Sequence, residues 1–385
     1  MAVICPDSLV KYFESLPDPR HTRNRKHRLV DVIVIAVCGV MVGCEGPTAI
    51  SLWAKNKREF LQTFLELPCG LPSRDCLRRV LSLLKPEAFQ QCFQEWIAAC
   101  LAANADGDVA TSVRHVAIDG KTLRRSHDRG RALGPLHIVS AWASGQGLAL
   151  GQLATAEKSN EITAIPALLE QIDVAGAVVT IDAMGCQTEI AQKIVAAKGD
   201  YVLAVKDNQP KLHAAIRAFF DEHAHDELAQ VAHRRCQTHD ESHGRKDLRY
   251  YFLAKLPAGF PLAAKWSGLK AIGMAVRITA HSDGRESSDA RYYIASRYFS
   301  GQRFADAVRG HWSIENSLHW VLDVVFNEDQ SRARQRRLAD NLSWLRRLAV
   351  GLLKRHPGKE SIKCKMKMTG WNNDFLTEVL TQQGT

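Results

Sequence analysis

The pattern of hydrophobic and polar positions divides the chain into a helical first part and a second part in which strands and helices alternate. Residues 48–67 and 73–104 carry apolar side chains at intervals of three and four, the spacing of amphipathic helices. A polar stretch at residues 104–112 has the composition of a linker. Beyond it the pattern predicts three strands, a helix, a strand, a helix and a strand, which is typical of an α/β sheet with helices on its faces.

The segment at residues 29–44 is the most hydrophobic of the chain. It contains Asp31 and is shorter than the roughly 18–20 apolar residues that a membrane span requires. Its length and its distance from the start do not suit a signal peptide. We therefore expect a buried helix in a cytoplasmic protein that has no membrane partner.

The last part of the chain is more polar. A β-rich segment from about residue 229 to 297 precedes a long helix at residues 303–326, and an Arg/Lys-rich amphipathic helix and tail follow. We divide the chain into a helical region at 1–104, an α/β region at 105–350 that carries the β-rich insertion, and a basic C-terminal tail at 351–385.

The charge balance favours a polyanionic partner. The net charge of +10 is of the kind found in proteins that bind nucleic acid, although charge alone does not determine the fold. The ten cysteines form no Cys-x-x-Cys pair, which suits a reducing cytosol. One cluster has spacings that zinc can use, but arginines interrupt it, and we favour a solvated strand and turn there. Its members are His233, Cys236, His239 and His243.

Two predicted strands end in the same way, each with a carboxylate after a short apolar run. These acids are Asp119 in the sequence VAID and Asp182 in VVTID. Ligands of open α/β sheets bind at the carboxyl ends of the strands. Two carboxylates at that edge repel each other unless a cation or proton intervenes, and Mg²⁺ prefers such oxygen ligands. The alternative is that each Asp only caps the following helix.

A third acid is offered by the last long helix. Glu315 lies four residues from His311 and from His319 and eight from Asp323, so these groups share one helix face. An ordinary amphipathic helix remains the alternative. Polar residues also follow two strands, where they can hold phosphates or simply cap helices. They are Lys158, Asn160 and Glu161, and Lys206, Asn208 and Gln209.

Longer motifs around these residues resemble transposases of the ISAs1 family, within the IS4-like DDE group, and the H-repeat-associated proteins. The motifs are AIDGKTLRRS, EKSNEITAIPALL, TIDAMGCQ, YVLAVKDNQPKL, HGRKDLR, HWSIENSLHWVLDVVFNEDQSR and NLSWLRRLAV. The N-terminal sequence FESLPDPRHTRNRKHRLVDVIVIAVCGVMVGCEG resembles the helical domain associated with this family. The resemblance covers nearly the whole chain.

The resemblance implies a DNA transposase with an RNase H-like catalytic core, a mixed sheet whose strand order agrees with the one above. In this sequence the catalytic and metal-binding triad is then Asp119, Asp182 and Glu315. The β-rich segment resembles the insertion that IS4-like transposases carry before the Glu helix. The cofactor implied is Mg²⁺, with Mn²⁺ as an alternative, in a two-metal mechanism that cuts element ends and joins them to target DNA.

The partners implied are double-stranded DNA, as terminal inverted repeats and as target, and a second copy of the chain in a homodimer on DNA. The N-terminal basic helices would recognise the terminal repeats, and the location implied is the bacterial cytoplasm, in association with the nucleoid. The side chains expected to contact DNA are Lys121, Arg124, Arg125, Lys158, Asn160, Lys206, Asn208, Gln209, Arg309, His311 and Asn316.

The sequence departs from the wider IS4-like signature around the glutamate. Val308, His311 and Leu322 occupy the positions of its Tyr, Arg and Lys, and Arg309 and His311 are candidates to replace them in binding the strand. Two other functions remain open. One is a domesticated relative that binds DNA without cutting it, and the other is a general RNase H-like nuclease that acts on RNA–DNA hybrids.

Overall fold

The computed structural model describes residues 6–103, 114–155, 161–226, 228–242, 245–281 and 285–381. The first of these ranges is helical, as the spacing of its apolar residues predicts. Its helices are α1 (Pro6–Glu14), α2 (Leu29–Met41), α3 (Pro47–Asn56), α4 (Arg58–Leu61), α5 (Arg74–Leu83) and α6 (Pro86–Ala103).

The α/β region forms the predicted order of three strands, a helix, a strand, a helix and a strand. The elements are β1 (His115–Leu123), β2 (Leu136–Ala143), β3 (Leu148–Thr155), α7 (Glu161–Leu169), β4 (Val178–Ile181), α8 (Thr188–Ala196), β5 (Asp200–Val205) and α9 (Pro210–Glu222). Strand β1 pairs antiparallel with β2 and parallel with β4, and β4 pairs parallel with β5, so the sheet is mixed. The expectation of an α/β fold with a mixed sheet is confirmed.

The β-rich segment continues this sheet. Its strands are β6 (His233–Ser242), β7 (Arg245–Lys255), β8 (Ala271–Ala280) and β9 (Glu286–Ala295). They pair antiparallel with their neighbours, and β9 joins β5 from Val202 opposite Ala295 to Val205 opposite Tyr292. The described strands therefore form one nine-stranded sheet in the order β3-β2-β1-β4-β5-β9-β8-β7-β6.

The chain ends in a set of helices. They are α10 (Gly301–Ile314), α11 (Trp320–Val324), α12 (Arg336–Arg355), α13 (Ile362–Trp371) and α14 (Asn373–Thr381), and a short π-helical turn connects α10 to α11. The segment at 351–385, predicted as a basic tail, is folded through Thr381 because Leu376, Val379 and Leu380 bury one side of α14. The Lys365 ammonium also donates to carbonyls at the end of α12, those of Leu353 and His356.

One hydrophobic core joins the N-terminal helices, α12 and one face of the sheet. All of α2 is buried in it, which explains the unbroken apolar run of its sequence. The Phe93 ring of α6 lies edge-on to Trp344 of α12, at 6.2 Å between centroids. Asp31 is tolerated in this core because its carboxylate accepts a hydrogen bond from the Leu67 backbone N–H. None of the described helices is long and apolar enough to cross a membrane.

A buried carboxyl group links α12 to the sheet, and it should make stability depend on pH. Asp340 accepts hydrogen bonds from Gln152 of β3, and burial raises its pKa from the ordinary 3.8 to about 6. A raised pKa means that the folded state favours the protonated form. The stabilisation is therefore complete below pH 3.8 and is lost as the pH rises through about 6.

Replacing Asp340 by Asn keeps the oxygen acceptor for Gln152 and removes the titration. We expect the free energy of unfolding of Asp340→Asn, relative to the wild type, to rise by about 2–3 kcal/mol between about pH 4 and pH 7. Urea denaturation at several pH values measures this difference. A difference that does not change with pH would contradict the buried, pH-sensitive role of Asp340.

Candidate active site

The first two acids of the predicted triad lie side by side at the carboxyl edge of the parallel strand pair. Ile118 of β1 is opposite Ile181 of β4, and Asp119 and Asp182 follow them directly. Glu315 comes to the same place from the helix that crosses this edge. All three side chains line one cavity of about 210 Å³.

Helix capping does not account for the two aspartates. Asp119 lies within β1, and Asp182 Oδ1 accepts a hydrogen bond from the Gly185 backbone N–H in the turn after β4. Helix α8 begins only at Thr188, and no side chain caps its first turn. The carboxylate of Asp182 therefore stabilises the turn after β4 and also lines the cavity.

Glu315 is presented by a π-helical turn at Glu315–His319. The Trp320 backbone N–H donates to the Glu315 carbonyl, five residues earlier, in place of the four-residue spacing of an α-helix. Such wide turns occur frequently at functional sites. The sequence spacing indicates which face Glu315 and His319 share, but it gives no signal for the wide turn.

A cluster of possible metal ligands forms between β1 and this turn. Single donor atoms of Asp119, Glu315 and His319 lie within 4.8 Å of one another, the only such group found among the described residues. Burial, together with the charges of Glu315 and Asp182, raises the pKa of Asp119 to about 8. The His319 imidazole lowers the pKa of Glu315. Negative charge on Asp119 is thus costly, and a divalent cation would relieve that cost.

Lys121 points into the protein and is surrounded by acids, which corrects the expectation that it meets the DNA backbone. Its side chain is only 8% exposed, and its ammonium lies 2.7 Å from Asp323, 2.9 Å from Asp329 and 3.7 Å from Glu328. The physical reason is that three carboxylates from the segment after Glu315 compensate the buried charge. Arg124, in contrast, is 80% exposed and pairs with Asp329 at 3.0 Å.

This geometry predicts different salt dependences of DNA binding for the neighbouring cations. Arg125→Met should lower the slope of log K against log salt by about one, because it removes a cation that can pair with phosphate. Lys121→Met should leave the slope unchanged, because its ammonium is already paired. Fluorescence anisotropy with duplex DNA over a salt series measures both slopes. An equal decrease in the slope for the two variants would contradict the buried, paired state of Lys121.

Four of the other predicted DNA contacts lie at the cavity or at the turn that carries Asp182. Lys206 is exposed at the rim of the cavity, and His311 lines it. Asn208 and Gln209 donate hydrogen bonds to the carbonyls of Ala183 and Cys186, so they hold the turn that carries Asp182. The remaining predicted contacts are Arg309, which pairs with Asp240 at 2.9 Å, Asn316, which is exposed, and Lys158 and Asn160, which lie outside the described residues.

The histidine and cysteine side chains whose sequence spacing could suit a zinc ion do not come together in the described part of the chain. Strand β6 places His233 and His239 on one side and Cys236 on the other, because successive residues alternate between faces. The Cys236 thiol lies 3.3 Å from the Gln302 side chain. His243 lies outside the described residues.

A second cavity, of about 520 Å³, adjoins the first. Both are lined by Arg291 and Trp312, and the Arg291 guanidinium lies 4.6 Å from the centre of the Trp312 ring. Sequence analysis missed this cavity, because β7, β8, β9 and α10 meet only in the folded sheet. Its arginines are Arg249, Arg277, Arg291 and Arg309.

Comparison with known protein families shows which family the chain belongs to. Residues 111–352 match the family described as Transposase DDE domain, and residues 10–97 match the family described as DDE_Tnp_1-associated. The chain belongs to the DDE transposase family. The predicted likeness to H-repeat-associated transposases is confirmed, and the ISAs1 subgroup stays a prediction.

Several relatives of this DDE transposase match over nearly their full length. The "H repeat-associated putative transposase YhhI" of Escherichia coli strain K12 is 36% identical over 381 residues, which is 98% of each chain. The "Putative transposase YncI" of Escherichia coli O157:H7 is 38% identical over 97% of this chain and 94% of its own. A piggyBac transposase synaptic complex with hairpin DNA aligns over 99% of this chain and 80% of its own at 11% identity, with a TM-score of 0.38.

Proposed function

We propose that this DDE transposase mobilises an insertion sequence. It would cut DNA at the ends of its element and transfer the freed 3′-hydroxyl to target DNA, with Mg²⁺ or Mn²⁺ as cofactor and an RNase H-like arrangement of its first five strands. The observation that supports this proposal is that Asp119, Asp182 and Glu315, from three distant segments, line one cavity.

The donor set fits a divalent cation. Asp119 and Glu315 offer carboxylate oxygens beside His319, Asp182 is close enough to raise the pKa of Asp119, and the cluster has an open cavity in front of it. Bound divalent ions would activate the attacking oxygen and stabilise the leaving oxygen of a phosphodiester. The fold itself positions the three carboxylates, on β1, after β4 and in the π-helical turn. They would therefore be in place before DNA binds.

Exposed cations around the cavity would position the substrate. Lys206 is exposed at the cavity, and Arg124 and Arg125 are exposed directly after the strand that carries Asp119, so all three can pair with backbone phosphates. We place recognition of the terminal repeats on the N-terminal helices and expect a homodimer on paired ends in the bacterial cytoplasm, in association with the nucleoid. Asn208 and Gln209 also support the Asp182 turn.

The test is an in vitro reaction of the full-length chain with DNA that carries the ends flanking its gene. We expect Mg²⁺-dependent nicks at those ends, followed by joining of the 3′-hydroxyl to a second DNA. A domesticated relative would bind the ends without cutting them. A general RNase H-like nuclease would cut an RNA–DNA hybrid and would not require the ends. Either of these patterns would overturn the proposal.

A further inference from the structure

An imidazole lies where the sequence analysis expected oxygen ligands alone. The His319 side chain is 5% exposed, and its Nδ1 atom lies 3.6 Å from Asp119 Oδ2 and 3.6 Å from Glu315 Oε2. Both separations are longer than the usual N–H···O hydrogen bond. The His319 nitrogen and the two carboxylate oxygens are therefore close together, but hydrogen bonds of ordinary length do not join them.

We propose that His319 is a nitrogen ligand of the divalent cation, beside Asp119 and Glu315. The inference rests on the proposed function and deepens it, because it assigns a mixed oxygen and nitrogen site. Ligands at about 2.1 Å from an octahedral cation are about 3.0 Å apart when adjacent and about 4.2 Å apart when opposite. The two observed separations of 3.6 Å lie between these values.

The fold fixes the ring in this position. The π-helical turn begins at Glu315 and ends at His319, so both ligands come from one short segment. Its other buried residue, Leu318, anchors the turn in the core. His319 Nε2 is buried without a hydrogen-bond partner among the described residues, whereas Nδ1 lies close to the two carboxylates. Burial and the short turn, rather than a hydrogen bond at Nε2, restrict the orientation of the ring.

The ligand type has a consequence for metal choice. Mg²⁺ is a hard cation that prefers oxygen, whereas imidazole nitrogen binds transition-metal ions well. We expect the wild-type site to bind Mn²⁺ about tenfold or more tightly than Mg²⁺. His319→Gln should lower the Mn²⁺ affinity by about tenfold or more and affect Mg²⁺ less, because the loss of a ligand costs at least as much as the loss of its outer-shell partner.

Pulsed EPR of Mn²⁺ bound to the full-length chain tests the assignment directly. The probe is Mn²⁺ alone, with calorimetry for the affinities. The wild type should show a coupling to histidine nitrogen that changes on labelling with ¹⁵N-histidine. The coupling should be absent in His319→Gln and present in His311→Gln, which is the matched control because His311 lines the same cavity.

The outcomes separate this inference from the proposed function. Mn²⁺ bound without histidine coupling, or a coupling lost in His311→Gln, would overturn the ligand assignment and leave the triad in place. No Mn²⁺ binding, or binding that Asp119→Asn does not change, would overturn both. If His319→Gln does not fold, the labelled wild type and His311→Gln still test the ligand assignment. A histidine coupling that His311→Gln retains would support His319 as the ligand.

Discussion

Glu315→Gln and Asp119→Asn are each expected to lower Mg²⁺-dependent cleavage of element-end DNA by at least about a thousandfold. Each change removes a charged oxygen ligand and with it about 4 kcal/mol or more of transition-state stabilisation. Binding of uncleaved DNA should stay within a few-fold, because the exposed cations around the cavity are unaltered. Single-turnover cleavage of labelled DNA measures the first quantity, and anisotropy measures the second.

An acid outside the site provides the matched control for these two variants. Glu170 is 66% exposed and pairs with Lys193 on the surface, so Glu170→Gln should cut at the wild-type rate. If either triad variant still cleaves the DNA, the assignment of that residue to the catalytic triad is wrong. Loss of DNA binding in step with cleavage would instead indicate that the variant damages the fold.

Glu328→Gln is expected to have the largest effect on stability, about 3–5 kcal/mol of the free energy of unfolding. The Glu328 side chain is fully buried, with Arg347 at 3.2 Å and Arg346 and Lys121 at 3.7 Å. Burial alone would raise its pKa, but the charges of Arg347, Lys121 and Arg346 outweigh burial and lower it. Removing the carboxylate charge leaves these buried cations without their central partner.

Urea denaturation of Glu328→Gln and of a surface control tests this expectation. Asp221→Asn, in an exposed pair with Arg217, should change the free energy of unfolding by less than about 0.5 kcal/mol. Adding Arg347→Met to Glu328→Gln should recover part of the loss, because it removes a buried charge that the first change left unpaired. A single variant as stable as the wild type would contradict the central role of Glu328.

This buried cluster also connects the stability of the protein to its candidate active site. Arg347 Nε donates to the Ser140 hydroxyl, and Ser140 is opposite Asp119 in the β1–β2 pair. Lys121, two residues after Asp119, pairs with Asp323 from the helix that continues beyond Glu315. The cluster therefore fixes the glutamate segment relative to the first strand, and we expect Glu328→Gln to lower cleavage as well.

The sequence predicts those parts of the fold that depend on local periodicity. The alternation of strands and helices after residue 112 is found as expected, and short apolar runs that end in an acid locate Asp119 and Asp182 at one edge. Glu315 and His319 are found by their helical spacing, but the π-helical turn is set by tertiary packing and leaves no trace in the pattern.

The direction of Lys121 could not be predicted, because its partners follow more than 200 residues later in the chain. A cation two residues after Asp119 has the same local sequence whether it faces DNA or a buried carboxylate. The same limit applies to the segment at 351–385. Its basic composition suggests a tail, while the apolar residues that fold it, such as Leu376, find their partners in distant helices.

The pairing of β9 with β5 means that the β-rich insertion cannot be excised as a detachable module. Its removal would uncover the backbone donors and acceptors of β5 along an open edge, which invites pairing with other chains. The same hydrogen bonds transmit any tilt of the insertion to the strand next to Asp182. The insertion and the strands that carry Asp119 and Asp182 are therefore parts of one continuous sheet.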